Sequence, residues 1–200
     1  MRHGETLQNA ERRMVSTDDP SLSTSGAAHV AELARSLAGV RIDRIVTSPL
    51  TRCRETADAV IAARFESVAL DVDDRLRELR FGAIEGMNPE EIAAAGLAQV
   101  FNDWRQGLPP RYPEGAETFE DAALRLRLVY DDVTAHGGET VLLVGHSHAL
   151  RILLATCVLG VAAEAHRRLR IDHGTVSEVG WESRTPRLLA LNATSVPASR

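Results

Sequence analysis

Lysine is missing from this chain altogether, so all 23 of its basic residues are arginine. That absence excludes reaction classes, because P-loop phosphate binding and Schiff-base chemistry both use a lysine. An anion site here must be built from arginine forks, histidines or helix N-termini. Cysteine is nearly absent too. Cys53 and Cys157 are too few and too far apart for a disulfide framework or structural zinc, and they read as buried reduced thiols. No apolar run approaches the ~18 residues of a membrane span, and no signal-peptide pattern opens the chain, so the expectation is a cytoplasmic protein without a membrane partner. A net charge of -5 and a pI near 5.8 supply no basic face, and a nucleic-acid partner is not expected.

What is present is an ordinary globular composition, 200 residues with 44% hydrophobic and 26% charged, enough for one domain with its own core. Strand-like and helix-like segments alternate. "SGAAHVAELARSLAG" carries Val30, Leu33, Ala34 and Leu37 on one helical face, with Gly39 as its stop. "RIDRIVTS" reads as a strand, "PLTRCRETADAVIAARF" as a helix with Pro49 at its first position, and "SVALDV" as a second strand. Asn88-Pro89-Glu90-Glu91 predicts an N-cap and an acidic first turn, followed by a helix through Trp104. "GLPPRYPEGAE" is a loop, and a helix resumes after Thr118. "ETVLLVGHS" is an apolar strand leading into "ALRILLATCVLG", and strands around 176–181 and 187–191 come before a frayed tail at 195–200. This alternation predicts an α/β fold, a three-layer α/β/α sandwich with a mostly parallel central sheet. Ligands of such sheets sit at the carboxyl ends of the strands. Arg2–Glu5, Ser48–Arg52 and His146–His148 all fall at such ends, and the segment at about 76–117 is expected to cap that edge within a single domain, 1–200.

Two imidazoles and two guanidiniums beside helix N-termini suit a tetrahedral dianion. One imidazole can attack phosphorus, the arginines can bind equatorial oxygens, and a carboxylic acid must protonate the departing alkoxide. "DRLRELRFGAIEG" offers Glu78 for that last task, with Glu85 as second choice. The glycine of "RHGET" is expected to let the backbone turn.

Four segments also carry a resemblance. "RHGET", "TSPLTRCRETA", "RLRELRFGAIEG" and "VGHSHALRILL" resemble, in order, the motifs of the histidine phosphatase (phosphoglycerate mutase-like) superfamily. The resemblance implies that His3 is the phosphorylated nucleophile, Glu78 the proton donor, and His146 a second catalytic histidine on the phosphoryl group. Arg2 and Arg52 would bind phosphate, joined by Asn9 and by Ser147, which stands where a Gly commonly follows the second histidine. Phe81, Arg105, Arg111 and His148 are the expected substrate-side residues. No metal and no cofactor is expected. The substrate is expected to be a small phosphomonoester, and the sequence is compatible with a homodimer. Phosphatase action is expected over cofactor-dependent phosphoglycerate mutase-type transfer, because the chain is short for the cap and tail that would shield a phosphohistidine from water.

Two other readings come from different classes. "VGHSHA" approximates the serine elbow of α/β-hydrolases, with Ser147 as nucleophile and Asp172 and His173 following in triad order, though Ala149 replaces the last Gly. A non-catalytic phosphoester-binding module would need none of the acid–base residues. Lastly, a nucleophile at position 3 must stand at the end of a central strand, of which only Met1 precedes Arg2. The first strand therefore reads as truncated, and an apolar run of roughly five residues is expected upstream.

Overall fold

In a computed structural model, residues 1–106, 112–135 and 137–195 are described. Three short strands, β1 (Arg44–Thr47), β2 (Ala69–Val72) and β3 (Val141–Val144), form a parallel sheet in the order β2-β1-β3. Ile45 lies level with Leu70 and Leu142, and Val46 with Leu143. Because strand side chains alternate, this register sends Ile45, Leu142 and Val144 to one face and Val46, Val141 and Leu143 to the other. The first face packs on α2 (Thr24–Leu37) and α3 (Thr51–Ala62) through Val30, Leu33, Ala57 and Val60. The second packs on α6 (Phe119–Thr134) and α7 (Ser147–Leu153) through Leu126, Val129, Ile152 and Leu153. The expected three layers follow from that alternation.

Residues 1–3 lie at the sheet's centre. Arg2 bridges Gly145 in parallel; His3 N–H donates to Gly145 O (3.0 Å), and Gly145 N–H to Met1 O (3.0 Å). On the other side Arg2 N–H donates to Thr175 O (3.1 Å) and Gly174 N–H to His3 O (3.1 Å). The backbone of the opening motif is thus held from both sides. Beyond it, β4 (Val176–Glu182) and β5 (Thr185–Ala193) make an antiparallel hairpin. A cavity of about 320 Å³, lined by Val141, Leu143, Leu154 and Val179 among others, lies between β3 and this hairpin.

Several boundaries differ from the sequence reading. Helix α3 starts at Thr51, not Pro49, because Asp19 caps it from another segment, its carboxylate accepting from Thr51 N–H (2.6 Å) and Oγ1–H (2.8 Å). A short helix, α1 (Leu7–Ala10), follows the opening motif and is closed by a Thr6/Asn9 capping box. The cap segment comprises a 3₁₀ turn at Gly82–Ile84, α4 (Pro89–Ala94) and α5 (Ala98–Gln106). As expected, Asn88 is the N-cap of α4 and Pro89 its first residue, with Glu91 completing a capping box. Helix α5 turns Phe101 and Trp104 inward, Trp104 onto Phe81 and Phe119 and Phe101 stacked on Trp104. Burying each such aromatic contributes roughly 1.5–3 kcal/mol, enough to seat a short helix that would not form alone. Residues 107–111 of the expected 107–117 loop and residues 196–200 of the expected frayed tail lie outside the described residues. Among the described residues no helix is long and apolar enough to cross a membrane.

Candidate active site

The carboxyl ends of the central segments bring His3, Ser48 and His146 together. The His3 and His146 rings are 5.1 Å apart, edge to face, and both are buried. His3 Nδ1 lies 2.6 Å from Gly4 O. A carbonyl only accepts, so Nδ1 carries the proton and Nε2 keeps the lone pair. Burial first, then the proximity of His146 and the positive fields of Arg2 and Arg52, hold the His3 pKa well below its ordinary value. The ring is neutral and Nε2 is free to act as a nucleophile near pH 7.

Gly4 does not take a left-handed conformation, so the expected turn is not its role. Its role is space: a Cβ there would sit 2.5 Å from Val30 Cγ2 on α2. Gly26 of α2 answers it, since a Cβ at that position would lie 2.1 Å from Glu5 O. Two glycines let α2 press directly on the backbone that carries His3.

Arg52 is the largest fully buried side chain, 1% exposed. Its guanidinium donates to Asp18 O (2.9 Å) and, at a longer 3.4 Å, to Val15 O, with no ion pair among the described residues. Burial lowers its pKa without discharging it. Arg2 is held likewise, donating to Ile171 O (2.6 Å) and to His173 Nε2 (2.5 Å), while its Nε is buried without a partner among the described residues. Burial brings Arg2 down to about 10, so it too is charged at neutral pH. His173, pushed to about 3 by burial and then by Arg2, is a neutral acceptor that orients Arg2. His146 Nε2 shares a 2.8 Å hydrogen bond with Ser48 Oγ and lies 3.4 Å from Cys53 Sγ. Burial and Arg52 lower His146 to about 3. Two guanidiniums, that of Arg52 fully buried and that of Arg2 partly so, and two neutral imidazoles therefore share one site, and cations held by carbonyl and imidazole acceptors rather than by ion pairs suit an anion.

Glu78 is buried beside them. Its Oε1 accepts from the backbone N–H groups of Leu79 (3.1 Å), His148 (3.1 Å) and Ala149 (3.0 Å), and Oε2 is 3.4 Å from His148 Nδ1. Burial opposes the charge, but His148, His146 and these N–H donors outweigh it and hold Glu78 well below the usual carboxylate range. Glu85, the second choice for the acid, is committed elsewhere. It accepts from Ser16 N–H (2.6 Å) and Thr17 N–H (2.8 Å), which shapes the turn whose Asp18 carbonyl holds Arg52.

The remaining expected residues are placed as follows. The Asn9 side-chain oxygen accepts from Thr6 N–H (3.3 Å) in the cap of α1, leaving its NH₂ group to donate. Ser147 opens α7, and its carbonyl accepts from Arg151 Nε (3.0 Å). His148 is partly buried, its ring 5.2 Å from both Phe81 and Trp104. Phe81 is 3% exposed and belongs to the core beneath that ring. Arg105 lines a cavity of about 470 Å³ together with His148. Arg111 lies outside the described residues. His146 turns toward Ser48 while His148 turns toward Glu78, so the two rings do not share one ligand position. The serine triad does not assemble: His173 gives Nε2 to Arg2, Asp172 pairs with Arg170, and no hydrogen bond joins either to Ser147. Sequence reasoning overlooked His173 as the partner of Arg2, and Ser48 as the partner of His146. Ser48 had a signal, its place at the end of β1; His173 had none beyond its residue type.

Residues 1–194 match the model of the histidine phosphatase superfamily (branch 1). A probable phosphoglycerate mutase GpmB from Erwinia tasmaniensis is 33% identical over 185 residues, covering 90% of this chain and 82% of that protein. Among solved structures, a mycobacterial glucosyl-3-phosphoglycerate phosphatase in complex with VO3 superimposes with a TM-score of 0.84 at 27% identity, covering 96% of each chain. The α-ribazole phosphatase of Shigella flexneri shares the fold at a TM-score of 0.87 and 22% identity, over 100% of this chain and 98% of that one. The chain belongs to the histidine phosphatase superfamily.

Proposed function

We propose that this member of the histidine phosphatase superfamily hydrolyses phosphomonoesters of small metabolites through a phosphohistidine on His3. The observation that carries the reading is the Nδ1–H bond from His3 to Gly4 O, which leaves Nε2 unprotonated within the field of Arg2 and Arg52. In the first step Nε2 bonds to phosphorus, the ester P–O bond breaks, and a proton passes from Glu78 to the departing alkoxide. In the second step water attacks phosphorus, the N–P bond breaks, Glu78 takes the proton from water, and inorganic phosphate leaves. Glu78 is ionised in the free site, and a monoester bound as its monoanion brings the proton in, since the second phosphate pKa is about 6. Arg2 and Arg52 bind the equatorial oxygens, His146 hydrogen-bonds the phosphoryl group, and the Asn9 NH₂ and Ser147 are further donors to it. Once its proton has passed to Glu78 the bound ester is a dianion, which the charges of Arg2 and Arg52 match, so the scheme routes no step through a metal, and chelator treatment is expected to leave the rate unchanged.

Rapid quenching with ³²P-labelled substrate tests the scheme. Acid-labile, base-stable label on the peptide containing His3, and loss of both label and turnover in H3A, are expected. Turnover that survives H3A would sink it. The mutase name of the 33%-identical relative favours a second reading, transfer between hydroxyls of phosphoglycerate. With 3-phosphoglycerate followed by ³¹P NMR, phosphate release is expected, and 2-phosphoglycerate forming much faster than phosphate would establish the transferase reading instead.

A further inference from the structure

The cavity of about 470 Å³ that His148 and Arg105 line is within the size range of small-molecule sites, roughly 300–1,000 Å³. His148 links it to Glu78: the residue lines the cavity, and its backbone N–H donates to the Glu78 carboxylate. A leaving group that takes its proton from Glu78 therefore emerges into this space. The floor is aromatic, with Phe101, Trp104 and Phe119. Its charge is one-sided. Among the described residues four arginines line it and no Asp or Glu does.

Arg12 is neutralised by Glu90. Arg105, Arg151 and Arg167 form no ion pair among the described residues, and each is instead fixed without being neutralised. Arg151 donates from Nε to Ser147 O (3.0 Å) and from NH1 to Leu169 O (3.3 Å). Arg167 donates to Trp104 O (2.9 Å) and lies over the Phe119 ring at 5.4 Å. Arg105 lies over Phe101 at 5.5 Å, at the exposed rim. Glu78 and Glu164 influence this group electrostatically, yet neither is in ion-pair contact with it. Backbone carbonyls and ring faces orient guanidiniums but leave their charge to be met by something else.

We propose that the alcohol portion of the substrate carries a second anionic group, a carboxylate or a further phosphate, which Arg151 and Arg167 bind with Arg105 at the rim. This rests on the phosphatase reading for its orientation, though not for the binding itself. A charge-assisted hydrogen bond is worth enough to shift binding by about 10- to 100-fold.

Esters of one shape and different charge test it: phenyl phosphate, 4-carboxyphenyl phosphate, 1,4-phenylene bisphosphate and 4-(aminomethyl)phenyl phosphate. The two anionic esters are expected to exceed phenyl phosphate about tenfold or more in kcat/KM, and the cationic ester to fall below it. Their mutual ranking distinguishes carboxylate from phosphate. R167M is expected to bring the anionic-to-neutral ratio toward one, and R167K to restore most of it. Equal kcat/KM across the four esters, or an unchanged ratio in R167M, overturns the proposal. If no ester turns over, the phosphatase reading fails by itself. Calorimetry of 4-hydroxybenzoate against 4-hydroxybenzyl alcohol then decides the cavity's preference, with tighter binding of the carboxylate supporting it and equal binding refuting it.

Discussion

The geometry around Glu78 separates two effects that mutation of a buried acid usually confounds. Glu78 Oε1 accepts from three backbone N–H groups, whereas Oε2 receives a shared bond from His148 N–H and a long contact from His148 Nδ1. A glutamine can place its oxygen where Oε1 stands and its NH₂ near the His148 ring nitrogen. E78Q is thus expected to keep the three N–H bonds and most of the stability. E78A orphans all three donors; at roughly 1–3 kcal/mol per unsatisfied group, with entering water relieving part, a loss of about 3 kcal/mol follows. For a chain of this size that lowers Tm by roughly 6–12 °C.

The chemical consequence then depends on the leaving group. An alkyl ester needs its alkoxide protonated, and E78Q is expected to lose about 10²- to 10⁴-fold in kcat/KM. p-Nitrophenyl phosphate releases a stable phenolate without help, so its first step in E78Q should survive. Hydrolysis of the phosphohistidine still lacks its base. Stopped-flow measurements should therefore show a burst of about one p-nitrophenolate per site followed by slow turnover, with phosphohistidine accumulating. Equal losses for alkyl and nitrophenyl esters, without a burst, would refute the role given to Glu78. A Tm loss in E78Q matching that of E78A would refute the hydrogen-bond accounting.

Three further outcomes follow from the same structure. His173 accepts from Arg2, so H173A is expected to raise KM and weaken vanadate inhibition about tenfold while H173Q, which retains an acceptor, restores most of both; equal behaviour of the two would exclude positioning of Arg2. His146, His166 and His173 sit near 3 when folded and near 6.5 when unfolded, so the unfolded chain binds more protons between those values. Stability is then full above pH 6.5 and falls as pH drops, by up to ~1.4 kcal/mol per unit for each histidine, and urea midpoints that stay flat from pH 7.5 to 5 would contradict the burial of neutral rings. G26A drives a Cβ to 2.1 Å from Glu5 O, and overpacking of about 1–3 kcal/mol with a displaced His3 loop should lower both Tm and kcat.

How much of this was legible beforehand turns on how far apart in the chain the deciding contacts lie. The capping box of α4 spans three residues, Asn88 to Glu91, and local pattern was sufficient. The three polar clusters were legible for a related reason: a strand followed by a helix puts its last residues at the sheet edge whatever the rest of the chain does. The start of α3 was misread because its cap comes from Asp19, 32 residues before Thr51. Glu85 looked as fit for acid chemistry as Glu78, both being carboxylates in one mixed segment. What separates them is that Ser16 and Thr17, 68 to 69 residues away, claim Glu85, whereas the first turn of α7, some 70 residues on, claims Glu78. His173 acquires its meaning from Arg2 at a separation of 171 residues. Residue type and position in an element decide which groups are able to do chemistry; the folded contacts decide which of them are left free to do it. Arg52 and Glu85 make the point together. The same turn that occupies Glu85 presents the Asp18 carbonyl to Arg52, so the fold removes one carboxylate from the chemistry in order to aim a guanidinium at it.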